Sequence, residues 1–331
     1  MLCTYSSQFI DLLPAYRGKT VLITGAGGFI GTRLRSLLRP LDARLICISR
    51  TSPPAAHADE ETWIRGDLSE RAPWEKALDY PIDLVFHCAA QTSAYAADSA
   101  PAEDLQLNVT PIVHLLELCR QKAVTPFIVL ASTITIAGLA QEPRIDESLP
   151  DAPVTVYDLH KLFAEQYLRS YIARSIARGA CLRLANVYGP GPKSGKEDRG
   201  VLNQMIRRAQ QGSALTVYEP GTFARDYVHI DDVALAFLRT AACADVTNGR
   251  HYLIGTGTGH TLLEAAKLVA ELVGQKTGTR VEVELVPPPH PQSPIEARCY
   301  TADCSRFTRA TGWQPTFNLA QGIESMLEDI T

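Results

Sequence analysis

No two of the eight cysteines in this chain are spaced as a CxxC pair, and no His/Cys cluster has the spacing of metal ligands. That argues against a zinc site or a dithiol redox centre, and no metal is expected. Cys3, Cys47, Cys88, Cys119, Cys181, Cys243, Cys299 and Cys304 are scattered. Most fall in apolar stretches, so buried thiols in a reducing cytoplasm are the expectation. An excess of basic charge is also missing: 32 Lys+Arg against 36 Asp+Glu leave a formal charge of −4. No nucleic-acid partner is expected. No apolar run approaches the roughly 20 residues that span a bilayer. Residues 1–20 lack a basic stretch followed by an apolar one, so neither a membrane partner nor a secretory signal is expected. Internal repeats and low-complexity tracts are absent too. What remains is an ordinary soluble composition, 46% apolar and 21% charged over 331 residues. Such a chain can build about two lobes and a large core without staples.

The first half alternates short apolar runs with helical stretches. Strands are predicted at Thr20–Thr24, Arg44–Ser49, Asp83–His87, Phe127–Ala131 and Cys181–Leu184. These runs are apolar throughout, as expected for strands covered on both faces. Helices are predicted at Phe29–Leu38, Asp104–Gln121 and Val156–Arg178. The fold class is therefore α/β, a Rossmann-like doubly wound parallel sheet. Beyond Asn186 the character changes. Gly189–Gly200 reads as a loop, Val201–Gln211 and Leu262–Val273 as helices, and the five prolines of Val281–Pro294 exclude a long regular element. A smaller, loop-rich C-terminal substrate lobe is expected. The division is 1–185 with about 226–250 for the dinucleotide-binding domain, and 186–225 with 251–331 for the lobe.

TVLITGAGGFIG, residues 20–31, places Gly25, Gly28 and Gly31 directly after a strand and at the head of a helix. Glycines there permit a tight turn and close backbone approach to a pyrophosphate, and the helix N-terminus offers unpaired amides. The expected ligand is a nicotinamide dinucleotide, NAD or NADP, with Phe29 and Ile30 in the same turn. The second strand ends at Ser49-Arg50 instead of an acid. Arg50 suits a 2′-phosphate, which leans the expectation to NADP; a solvated Arg50 with the ribose held by backbone is the other reading. Asp67, followed by Leu68, suits an adenine amino group or a turn cap.

Tyr157-Asp-Leu-His-Lys161 is a YxxxK spacing at a helix head. Positions i and i+4 share a face, so the ammonium lies near the phenol and lowers its pKa, which equips it as an acid/base. Ser132-Thr133 ends the fifth strand about 25 residues earlier, and hydroxyls at such strand ends point into the ligand crevice.

With these motifs in order, the chain resembles the extended short-chain dehydrogenase/reductase family of nucleotide-sugar epimerases, dehydratases and reductases. Further matches are GDL (66–68), HCAAQ (87–91), Asn108 in LNVT, LRLANVYGPG (182–191), RDYVHIDDVA (225–234), YLIGTG (252–257) and ADCSRFTRATGWQP (302–315). The resemblance implies Tyr157 as acid/base, Lys161 as its electrostatic partner and ribose ligand, and Thr133 on the reacting sugar hydroxyl. It implies Ala89, Ala90, Gln91, Asn108 and Ser132 around the cofactor. Asn186 and Arg225 would hold a nucleotide diphosphate, and Asp303 with GWQP would stabilise the lobe. A homodimer through a four-helix bundle of Asp104–Gln121 and Val156–Arg178 is implied as well.

Departures from the family pattern narrow the reaction. Dehydratases carry Thr-Asp-Glu after the fifth strand, and decarboxylases a Glu two residues after the Thr. Here the run is Thr133-Ile134-Thr135, which resembles the 4-epimerases. Ala137 stands where a tyrosine is usual, and Val201 where a helix-head Asn is frequent. Ser293 replaces a diphosphate-binding Arg for which Arg298 would compensate, and Tyr300 falls at a sugar-gating position. Gly191 replaces an Arg, a charge Lys193 would restore. A cytoplasmic nucleotide-sugar 4-epimerase is the reading carried forward. An NADP-dependent 4-ketosugar reductase is its first rival, and a non-catalytic nucleotide-sensing protein the second.

Overall fold

The structure, a computed structural model, describes residues 11–51, 61–192, 200–289 and 293–328. Cys3, Lys193 and part of the proline-rich run lie outside the described residues.

Seven parallel strands make the large sheet: β1 (Thr20–Thr24), β2 (Arg44–Ser49), β3 (Thr62–Arg65), β4 (Leu84–His87), β5 (Phe127–Thr133), β6 (Arg178–Leu184) and β7 (His251–Ile254). Their order is β7-β6-β5-β4-β1-β2-β3. The order reverses between β1 and β4, and a crevice opens at such a point beyond the strand ends. Side chains alternate between two cores. Val21, Ile23, Phe86, Val129 and Leu182 face one side; Leu22, Ile46, Val85, Ile128 and Leu130 face the other. Burial on both sides is why these strands read as unbroken apolar runs.

The helices that shape the crevice are α1 (Phe29–Leu38), α2 (Pro101–Asn108), α3 (Thr110–Lys122) and α4 (Val156–Ala173). The single helix expected at Asp104–Gln121 is thus two. The helix is interrupted at Val109, where Pro111 has no amide hydrogen to donate to the Leu107 carbonyl and its ring crowds that turn. The helix expected to reach Arg178 stops at Ala173, the chain turns through Ser175 at φ +56°, and Arg178 opens β6.

A third core, with Leu202, Met205, Ile206, Val217, Val269 and Ile323, gives the C-terminal part its own interior. It lies among helices Val201–Gln210, Leu262–Thr277 and Leu319–Glu328, and the parallel pair Leu215–Tyr218 with Val283–Val286. Three strands, Asn186–Tyr188, Ala224–His229 and Gly259–Thr261, run beside the crevice. Asp226 ties this region together. Its carboxylate accepts from the amides of Thr256 at 2.8 Å, Gly257 at 2.9 Å and Ala302 at 3.1 Å. Among the described residues, no helix is long and apolar enough to cross a membrane. The described cysteines are all unpaired; Cys299 is exposed, against the expectation of burial, and alternates with the buried Arg298 and Tyr300.

Candidate active site

The turn after β1 is built for close approach. Gly25 has φ +64°, and a β-carbon there would lie 2.9 Å from the Ala89 amide nitrogen. One on Gly31 would lie 2.3 Å from the Gly25 carbonyl oxygen, so α1 packs hard on the turn. Gly28 precedes α1 in extended conformation and no side chain caps the helix. The first-turn amides of Phe29, Ile30 and Gly31 lack intrahelical acceptors, and the first turn holds no acid. Glycine at each close approach and an uncapped helix N-terminus fit a dinucleotide diphosphate.

At the end of β2, Ser49 Oγ lies 3.1 Å from Thr51 Oγ1 and accepts from the Thr51 amide at 3.2 Å. Arg50 is exposed. Asp67 Oδ1 accepts from Ser69 N at 2.9 Å and Ser69 Oγ at 2.8 Å, the geometry of a turn cap. Those bonds, with the nearby Arg50 charge, hold its carboxyl below the usual range. Leu68 is buried, and its carbonyl accepts from Trp74 Nε1.

Beyond β4, the Thr24 hydroxyl accepts from the amides of Cys88 and Ala89 and meets His87 Nδ1 at 2.8 Å. That fixes the half-buried Ala89 and Ala90 across from the glycine turn. The side chains of Gln91 and Asn108 turn inward. Gln91 Nε2 donates to Asp104 Oδ1 at 2.8 Å, Asn108 Nδ2 to the same oxygen at 2.9 Å and to the Gln91 carbonyl at 3.0 Å, while His160 Nδ1 meets Asp104 Oδ2 at 2.8 Å. This buried knot joins the β4 loop to α2 and α4.

The hydroxyls at the end of β5 diverge. Ser132 points under α4 and donates to Glu165, which pairs with Arg183 at 2.7 Å, itself paired with Asp151 at 2.6 Å. Thr133 lies 2.8 Å from Thr135 Oγ1, and Thr135 donates to Asp158 Oδ1 at 2.6 Å. Tyr157, half-buried, occupies the first turn of α4, with Lys161 one turn on along the same face. Lys161 is buried, and its Nζ donates to the Ala131 carbonyl at 2.6 Å. Burial lowers its pKa, and Glu165 opposes that.

A cavity of about 140 Å³ adjoins this end, lined by Thr135, Asn186, Arg225, Glu296, Arg298 and Tyr300 among others. Four of the six residues expected to bind substrate therefore converge. Arg225 spans the cavity edge, donating to the carbonyls of Glu296 at 2.7 Å and of Arg298. Arg298 is buried and ion-paired with Asp158, with its Nε lacking a hydrogen-bond partner. Tyr300 OH donates to the Gly138 carbonyl at 3.3 Å, and burial pushes its pKa to about 12.

Val201 is exposed at the head of its helix; the polar contact there is made by Asn203, whose amide brackets Gly189 at 2.8 and 3.1 Å. Gly191 faces the Phe29 ring, which a β-carbon would meet at 2.5 Å. Asp158 was not singled out from the sequence, although Thr155 and Asp158 form a legible capping box. Glu296, two residues before Arg298, was missed as well, because its partners arrive from elements far along the chain.

The NAD dependent epimerase/dehydratase family profile matches residues 21–255. The UDP-glucose 4-epimerase of Mycolicibacterium smegmatis is 28% identical over 93% of this chain and 97% of its own length. A UDP-glucose 4-epimerase from Thermotoga maritima, solved with UDP-glucose, superposes with a TM-score of 0.83 at 26% identity, covering 93% of this chain and 97% of that one. One from Thermus thermophilus in complex with NAD gives 0.80 at 28% identity, with 93% and 98% covered. With the glycine turn, the YxxxK helix and the adjoining cavity in place, and with the family profile spanning most of the chain, this protein belongs to the NAD dependent epimerase/dehydratase family.

Proposed function

We propose that the protein is a nucleotide-sugar 4-epimerase with NAD as its resident cofactor. The observation that carries this reading is the hydroxyl-lined end of the crevice. Where dehydratases carry carboxylates at both positions after the threonine and decarboxylases one at the second, this chain has the buried Ile134 and then the hydroxyl of Thr135. The nearby carboxylate, Asp158, is fully buried and taken up by Thr135, Arg298 and the amide of Thr155. Elimination and decarboxylation therefore lack their proton carrier, while a hydroxyl and a phenol remain.

In this reading the Gly25–Gly31 turn holds the diphosphate of the dinucleotide, with Ala89, Ala90 and the backbone at Gln91 across from it. A bound dinucleotide would supply reversible hydride transfer at sugar C4. Tyr157 removes the 4-hydroxyl proton and later gives it back. Lys161, anchored on the Ala131 carbonyl, holds the positive charge that favours the phenolate. Asn186, Arg225 and Arg298 border the cavity that receives the sugar diphosphate, and holding the reacting carbon in place is mainly an orientation effect. NAD is preferred to NADP because the family is NAD-dependent.

The small lobe, 186–225 and 251–331, is taken as the nucleotide-sugar half, with β7 contributed to the large sheet. A homodimer through α3 and α4 is supported by Leu159, Phe163 and Tyr167, which expose large apolar side chains at four-residue spacing on α4.

The rival, a 4-ketosugar reductase using NADP, is favoured by the missing acid at the end of β2. Denaturing freshly purified protein and identifying the nucleotide released separates the two. Near-stoichiometric NAD+ is expected for an internal redox cycle; an empty protein that takes up NADPH from solution overturns the epimerase reading.

A further inference from the structure

We propose that Asp158 sets the direction of the Thr133–Thr135 hydroxyl chain and thereby makes Thr133 a hydrogen-bond acceptor, not a donor, toward the sugar hydroxyl it meets. The proposal rests on the reading above for the identity of the ligand, and on geometry alone for the direction of the chain.

Asp158 is fully buried. Its Oδ2 receives three donors: the amides of Thr155 at 3.1 Å and Val154 at 3.4 Å, and the Arg298 guanidinium. Its Oδ1 receives Thr135 Oγ1 at 2.6 Å. A carboxylate ion-paired with arginine has no hydrogen to give, so the one hydroxyl hydrogen of Thr135 is spent on Asp158. The 2.8 Å contact between Thr135 Oγ1 and Thr133 Oγ1 then needs the hydrogen of Thr133. The Thr133 oxygen also accepts from the Thr135 amide at 3.2 Å. A threonine hydroxyl has one hydrogen and two lone pairs. Thr133 is left with one lone pair, and with that it can only accept.

An acceptor at this position distinguishes the two oxidation levels of the sugar. Before reaction the sugar 4-hydroxyl donates its one hydrogen to Thr133 and is held, and the same hydrogen turns to the Tyr157 phenolate when the proton is removed. A ketone at the same carbon presents lone pairs to a lone pair and is not. The grip at this corner loosens once the alcohol is oxidised, as a reaction that must turn a 4-ketosugar over in its pocket requires. Asp158 is a positioning residue in this scheme: it acts through Thr135 and never touches the sugar.

The direction is tested by neutron diffraction on deuterium-exchanged crystals. The deuteron of Thr133 is expected on the line to Thr135 Oγ1, and that of Thr135 on the line to Asp158. A Thr133 deuteron aimed into the crevice overturns the proposal. The consequence is tested with UDP-glucose and its 4-deoxy-4-fluoro analogue, whose fluorine cannot donate, binding to the NAD-loaded protein. The wild type is expected to bind the analogue about tenfold more weakly. In Asp158→Asn the single side-chain oxygen is drawn to the three donors, the amide NH2 faces Thr135, and the chain reverses. The ratio should then approach one. Thr135→Val frees the Thr133 hydrogen but leaves one of its lone pairs open, so the ratio should fall only part of the way, and Thr135→Ser should keep the wild-type ratio. An unchanged ratio across all four proteins overturns the role of Thr133. If neither UDP compound binds the wild type, the nucleotide reading above fails, and the deuteron positions still decide the direction of the chain.

Discussion

Lys161 and Ala131 are joined by a 2.6 Å hydrogen bond from the ammonium to a main-chain carbonyl on the neighbouring strand. The bond stakes a buried charge at one place beneath Tyr157. Burial holds the Lys161 pKa below its usual 10.5. In the window just below 10.5 the unfolded chain binds more protons than the folded one, so this group's contribution to stability rises with pH there. Lys161→Met removes the buried charge at similar length. It should keep or raise the melting temperature, flatten that alkaline rise, and cut kcat about a hundredfold or more. Thermal unfolding between pH 8 and 10.5, run beside a turnover assay, checks all three.

Tyr157→Phe deletes only the phenolic oxygen at the head of α4. Folding and dinucleotide content should match the wild type, while turnover falls by about 10²- to 10⁴-fold. Activity near wild type would remove Tyr157 from the mechanism.

Gly25→Ala places a methyl 2.9 Å from the Ala89 amide nitrogen in a backbone conformation, φ +64°, that side chains disfavour. Strain of this kind costs roughly 1–3 kcal/mol. The melting temperature should drop, and the protein should purify with little dinucleotide because the β1 and β4 loops are forced apart. Retained stoichiometric cofactor in this variant would contradict the role given to the turn.

Three histidines are kept neutral by burial: His87, with a pKa lowered to about 3, and His229 and His251, each lowered to about 4. Between 6.5 and these values the unfolded chain binds about three more protons than the folded one at these sites, so stability falls as pH falls. Asp232 runs the other way. Burial raises its carboxyl to about 6, and it contributes stability that is lost as pH rises from 3.8 towards 6. The histidines outnumber it, so the urea midpoint should move down from pH 7 to pH 5. A midpoint that holds or climbs over that interval would contradict this balance.

Leu159, Phe163 and Tyr167 are 37%, 41% and 42% exposed along one face of α4, an apolar stripe that suits the proposed bundle. The double variant Leu159→Glu, Phe163→Glu should sediment as a monomer where the wild type sediments as a dimer. A wild type that is monomeric at micromolar concentration would refute the bundle.

Local features of the site were legible from the sequence, and long-range ones were not. β1, β2 and α1 end where the apolar runs and glycines place them, because strand burial and turn chemistry are written within a few residues. β6 was shortened because Arg178-Gly179 reads as a helix end, and its pairing with β5 is decided by residues 50 positions away. β7 is only four residues long and is followed in sequence by the small lobe, and it joins the edge of the large sheet by pairing with Cys181 to Leu184. The YxxxK pair and the Thr133 hydroxyl were visible from spacing. The Asp158–Arg298 pair was not, since its partners stand 140 residues apart and meet only once the small lobe closes on α4.

Phe29 and Gly191 constrain each other. The ring occupies the space a side chain at 191 needs, with a β-carbon 2.5 Å from its edge. Phe29 is half-buried, so a side chain at 191 requires the ring to turn aside or shrink, and either change uncovers the first turn of α1. Substitutions at 29 and 191 are therefore coupled, and their effects should not add.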